Sequence, residues 1–182
     1  MGYIVLFSRC LTGVVFAVSA VTKLRSPRAF AEFATWVAEL PALPARARRP
    51  ASVLMAGAEA AAVLLLALPW TAPSGLALAT ATLAVFAAGT LLVTRAGVRV
   101  PCQCFGTSRA PIGMRHVVRN TGLCAVAAAG TAVAIIPPGS TSLAGAVLAL
   151  GAAFVTALFV VFLDDLAAFL SEHTALEREP GR

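Results

Sequence analysis

The chain is short of everything that a soluble catalytic domain normally displays. Only 12% of its 182 residues are charged, against about 25% in an ordinary soluble domain. It has two histidines, two tryptophans and one tyrosine. There is no Cys-x-x-Cys-His haem site, no glycine-rich phosphate loop and no repeated cysteine pairing of the zinc type. These gaps exclude c-type haem attachment, nucleotide binding through a P-loop and a zinc-ribbon architecture. The net charge of +6 does not indicate nucleic acid, because the basic residues fall between hydrophobic runs and no aromatic-studded soluble domain carries them.

What the chain has in quantity is hydrocarbon. Hydrophobic residues make up 59% of it, and the mean hydropathy is +0.89. Five runs of about 20 residues, the length needed to cross a bilayer as a helix, follow one another: Tyr3 to Thr22, Ala51 to Leu68, Leu76 to Thr94, Val117 to Ile136 and Leu143 to Leu163. Only helices or closed barrels satisfy the backbone in lipid, so the expected fold is all-α, a polytopic transmembrane helix bundle. Ala17-Val18-Ser19-Ala20 has the small-residue character of a signal-peptide cleavage site. Arg9 lies inside the first run rather than ahead of it, however, and the run is long, which favours a span with Arg9 snorkelling to the outer headgroups. We read residues 1–182 as one membrane domain, closed by a charged tail over 164–182.

Between the first two runs lies a connector, Lys23 to Pro50, with prolines at 27, 41, 44 and 50 and a basic cluster at Arg46, Arg48 and Arg49. Within it Phe30, Phe33, Trp36, Val37 and Leu40 form the apolar stripe of a short amphipathic helix, expected at the membrane interface with Trp36 at headgroup level. A turn is expected over Thr71 to Gly75. Alanine and glycine are frequent in the spans, as in Ala56-Gly57-Ala58 and at Gly145 and Gly151; this reflects either close helix packing or a plain compositional bias.

Five crossings place the connector, the loop from Arg95 to His116 and the C-terminal tail on one side. Six basic residues lie in the connector, five from Arg95 to Arg119 at the loop and the start of the fourth span, and two in the tail, thirteen of the fourteen in the chain, and Arg9 alone lies on the other side. The positive-inside rule therefore puts the N-terminus outside and the loop in the cytoplasm.

That loop carries Cys102-Gln103-Cys104-Phe105-Gly106. Two thiols one residue apart can form a strained, easily exchanged disulfide, bind a soft metal such as Cu(I) or Zn(II), or do neither. Arg99 and Arg109 flank the pair and favour the thiolate. His116 is either a third metal ligand with Cys102 and Cys104 or an interfacial residue. Cys10 and Cys124 fall inside spans, each about 10 Å from opposite surfaces. They read as small apolar side chains, with exchange between Cys124 and the loop pair as the functional alternative. Glu59 sits near the middle of the second span, where a charge costs about 2.5 kcal/mol or more and needs a partner or a wet cavity. Lys23 and Arg119 are the basic side chains within reach. Such a pair either fixes helix packing or forms a proton or thiol-activation site beneath the loop. Asn120 is positioned to give an interhelical hydrogen bond.

Taken together, Ser19-Ala20-Val21-Thr22-Lys23-Leu24 with Phe30 after it, Glu59, the Cys-x-Cys-Phe-Gly loop and Arg119-Asn120 resemble the MauE/DoxX group of redox-associated membrane proteins, and within it the methylamine-utilisation MauE-type domain, over residues 5 to 135. The resemblance implies a membrane thiol–disulfide protein that supports disulfide formation or maturation of a client. In methylamine metabolism that client is the disulfide-rich small subunit of methylamine dehydrogenase, assisted by a thioredoxin-like protein. It implies a redox role for Cys102 and Cys104, with Glu59, Lys23 and Arg119 supporting. The group is also similar to quinone-linked disulfide oxidoreductases, but these carry Cys-x-x-Cys, and the one-residue spacing here counts against a quinone cofactor. Such maturation takes place outside the cytoplasm, whereas the charge count places this loop inside. The rival readings are a Cu- or Zn-binding membrane protein and a non-catalytic assembly scaffold.

Overall fold

The structure, a computed structural model, describes residues 1–38, 43–97, 113–136 and 141–177, without the side chains of 36 and 164–177. Among the described residues every element is helical: α1 (Gly2–Leu24), α2 (Pro27–Ala38), α3 (Ala45–Ala67), α4 (Ala72–Arg95), α5 (Met114–Ala134) and α6 (Leu143–Glu177). Five segments are long and apolar enough to cross a membrane: Gly2–Leu24, Ala45–Ala67, Pro69–Arg95, Met114–Ala134 and Leu143–Leu163.

Local chemistry explains where several helices begin and end. Pro27 disfavours helix at Ser26, so α1 ends and α2 restarts, with Ser26 Oγ accepting the Ala29 N–H at 3.1 Å as the N-cap and Pro27 in the first helical position. Gly97 closes α4 with a φ of 67°, a left-handed conformation that glycine adopts without cost. At α5, the Gly113 N–H donates to His116 Nδ1 at 3.2 Å, and the His116 N–H donates to the Gly113 carbonyl at 3.0 Å.

Three boundaries differ from the hydropathy reading. The basic cluster is not connector: α3 begins at Ala45 and includes Arg46, Arg48, Arg49 and Pro50. Arginine is a good helix former, and hydropathy marks the hydrocarbon layer rather than the limit of a helix. The expected turn at Thr71 to Gly75 is a short 3-10 turn over Pro69–Thr71 running straight into α4, with prolines near the helix start where a missing N–H is tolerated. Finally, Asp164-Asp165 does not stop the last helix, which continues to Glu177.

Helices α1, α3, α4 and α5 form a ring in which each packs on the next, α1 closing back onto α5; α6 packs mainly on α1. The core of the ring is Leu11, Val15, Phe16, Ala62, Leu83, Leu123 and their neighbours. Small residues allow close helix crossings at two points. A Cβ on Gly130 would stand 2.6 Å from Ser8 Cβ, and one on Gly145 2.6 Å from the Tyr3 ring. Gly57 and Gly151 have nothing within 4 Å, so these two do not serve packing within the chain.

The short helix α2 turns its stripe inward. Phe33 and Val37 are buried against Ala56 of α3 and Val93 of α4, with Phe30 beside them. Trp36 and Leu40 fall outside the described side chains.

Candidate functional site

The C-terminal end of α1, the C-terminal half of α4 and the N-terminal half of α5 meet at one end of the ring, the end joined by the 98–112 connection. There the buried stripe of α5 runs through His116, Arg119 and Asn120 and then turns apolar at Leu123 and Ala127. This is the 3.6-residue spacing of a helix face turned toward the bundle. A polar layer therefore crosses the half of the bundle in which α4 ends and α5 begins.

At the centre of that layer is a buried ion pair. Lys23 Nζ lies 2.5 Å from Glu59 Oε1, with the two side chains 3% and 2% exposed. Ser19, one turn before Lys23 on α1, donates to both Glu59 oxygens at 3.2 Å and accepts from Lys23 Nζ at 3.0 Å. The ammonium also lies 4.6 Å from the centroid of Phe33 and 5.0 Å from that of Phe86, within cation–π range. Carboxylate, hydroxyl and two aromatic faces, drawn from α1, α2, α3 and α4, together replace the hydration that this lysine gives up. Desolvating such a pair costs several kcal/mol per ion, which is recovered only when geometry and further hydrogen bonds are good.

Lys23, one of the two cations expected near Glu59, is paired with it. Arg119 is 6% exposed and Asn120 5%, both on the inward face of α5. Asn120 lines a cavity of about 20 Å³ together with Glu59, Lys23, Ser19, Phe16, Phe86 and Leu123. A cavity of this size exceeds the about 10–15 Å³ that one water needs and falls far below the about 300 Å³ of small ligand pockets.

His116, in the first turn of α5, is fully buried, and its Nδ1 accepts the Gly113 N–H at the helix start. Arg9 donates to the carbonyls of Leu66 (2.5 Å) and Ala67 (2.7 Å), satisfying the C-terminal groups that a helix leaves unpaired. Cys10 and Cys124 are free thiols packed on the core of the ring, and Cys124 Sγ donates to the Thr80 carbonyl at 3.6 Å.

Cys102 and Cys104 lie outside the described residues, as do Arg99 and Arg109. Among the described residues no cluster of three His, Cys, Asp or Glu is arranged to hold a metal. Sequence reasoning missed Ser19, Phe33 and Phe86 as members of the site. The Ser19-x-x-x-Lys23 spacing, which stacks the two on one helix face, was the available signal for the first; nothing local announced the aromatic faces, which come from other helices.

No curated protein and no solved structure matches the chain. A family profile described as "Methylamine utilisation protein MauE" matches residues 1–133, a stretch that takes in α1 to α5 up to its last turn, the buried ion pair and the cysteine connection, and stops short of α6. The chain is a multi-pass membrane protein and belongs to the MauE family.

Proposed function

We propose that the protein is a membrane thiol–disulfide exchange protein in which Cys102 and Cys104 are the redox pair and the Lys23–Glu59–Ser19 cluster sets the protonic environment beneath them. The observation that carries this reading is a costly, fully buried ion pair in the half of the bundle where α4 ends and α5 begins, the helices that the cysteine connection joins. A purely structural bundle gains little from such a pair, since a hydrophobic replacement is often as stable.

In the exchange, a client thiolate attacks the 102–104 disulfide, giving a mixed disulfide and one released thiolate on the pair. The client's second thiolate then breaks the mixed bond. Two electrons and two protons pass from the client dithiol to the pair, which leaves the reaction reduced. The disulfide of a thioredoxin-like protein returns the pair to its oxidised form, being itself reduced in turn. Arg119 and His116, further along the same polar face of α5, hold the loop-side start of that helix in register. The charge bias places this end of the bundle at the cytoplasmic surface. Lys23 and Arg119 are turned inward, yet the remaining basic residues at that end still far outnumber those at the other.

The test is a redox titration of the purified protein with thiol alkylation. A 102–104 disulfide that forms and reduces at a defined potential supports the relay. Stoichiometric Cu(I) or Zn(II) uptake without redox cycling would establish a metal-binding protein instead, and full function in a Cys102→Ser/Cys104→Ser variant would leave an assembly scaffold.

A further inference from the structure

The cavity beside the ion pair has a property that packing does not explain. Asn120 is 5% exposed, and its Nδ2 has no hydrogen-bond partner among the described residues. Buried amide donors are nearly always paired, with protein or with ordered water, because an unmade hydrogen bond in a low-dielectric interior forfeits the whole of its hydration. Asn120 lines the cavity of about 20 Å³ shared with Glu59, Ser19 and Lys23. That volume admits one water, and the wall offers the polar partners that a buried water requires. The other wall residues include Phe16, Leu83 and Leu123, so the site is polar on one side and apolar on the other, and a second water would find no partners.

We infer that this cavity is a binding site for a single water that accepts a hydrogen bond from Asn120 Nδ2 and donates one to the Glu59 carboxylate. The water joins α5 to the ion pair held between α1 and α3. It also makes Glu59 a carboxylate with an exchangeable proton partner, rather than one enclosed by fixed side chains alone. The site does not depend on the thiol reading, since none of its groups is a cysteine.

X-ray radiolytic footprinting of the full-length protein in lipid nanodiscs tests it directly, because hydroxyl radicals formed from a bound water oxidise the side chains touching it. Leu83 and Leu123, on the cavity wall, are compared with Leu11 and Leu76, equally buried leucines away from it. The expected result is oxidation of Leu83 and Leu123 at least fivefold faster than of Leu11 and Leu76, falling to the control rate in Asn120→Leu and unchanged in Cys102→Ser/Cys104→Ser. Equal rates for the four leucines in the unmodified protein overturn the proposal, and that comparison needs no variant to fold. Fast labelling that persists in a folded Asn120→Leu protein also overturns it, by showing that Asn120 does not hold the water.

Discussion

At the end of the bundle where α1 begins, helices meet through small residues, through hydroxyls that serve their own backbone and through Arg9, which reaches to the last carbonyls of α3. Gly130 lies against Ser8, Thr12 Oγ1 donates to the Ser8 carbonyl, and Thr80 and Thr131 donate to carbonyls one turn back in their own helices. At the other end, helices meet through side chains that reach across: Ser19 and Lys23 to Glu59, with Phe33 and Phe86 against the ammonium. Both ends are buried to the same degree, but they do not fail in the same way. The first tolerates loss of a polar group and resists added volume. The second tolerates modest changes of shape and resists any change that leaves one charge alone. A membrane protein that needed only to fold could have used the first solution throughout. The charged solution occurs where the cysteine connection attaches.

The sharpest way to break this comparison is to remove one ion. Glu59→Ala leaves Lys23 charged and unpartnered, and should cost about 3–5 kcal/mol of stability, read by thermal or denaturant unfolding in detergent. A Lys23→Met/Glu59→Leu double variant should recover most of that loss, as a double-mutant cycle will show. At the opposite end the sensitive change is volume. Gly130→Ala should cost about 1–3 kcal/mol through overpacking against Ser8, measured in the same unfolding assay. Ser19→Ala removes hydrogen bonds while leaving the ions paired, and should cost about 1 kcal/mol, within the range seen for interhelical hydrogen bonds in lipid. Least of all is expected from Gly57→Ala, where no atom lies within 4 Å: no loss, and a gain of up to about 1 kcal/mol from helix propensity. A Gly57→Ala variant as damaged as Gly130→Ala would mean that the packing contrast is misassigned.

The two regions were also unequally legible in the sequence. Spans could be read from hydropathy because the bilayer imposes one length on all of them, and Glu59 stood out because a carboxylate in such a run needs a reason. Helix limits were less legible. Arg46 to Arg49 and Asp164-Asp165 look like boundaries, yet they mark where lipid ends and not where hydrogen bonding stops. Lys23 was visible as a partner for Glu59 because its flexible side chain, at the end of the first span, can reach back into the bundle. Ser19 was masked by its place in a small-residue run, and the backbone partners of His116 and Arg9 were not legible because they are set by helix ends that sequence spacing does not locate. The cysteine pair, conspicuous in sequence, lies beyond the described residues, so its role rests on chemistry and on what lies beneath it.

The claim that joins these parts is that the charged layer serves the thiols above it. It is tested most directly by the rate and pH profile of thiol–disulfide exchange at Cys102 and Cys104, in the unmodified protein and in the Lys23→Met/Glu59→Leu double variant. Our account predicts exchange slowed at least tenfold with an altered pH profile in the double variant, although its fold is retained. An unchanged rate and an unchanged profile in a folded double variant would contradict it and reduce the ion pair to a packing device.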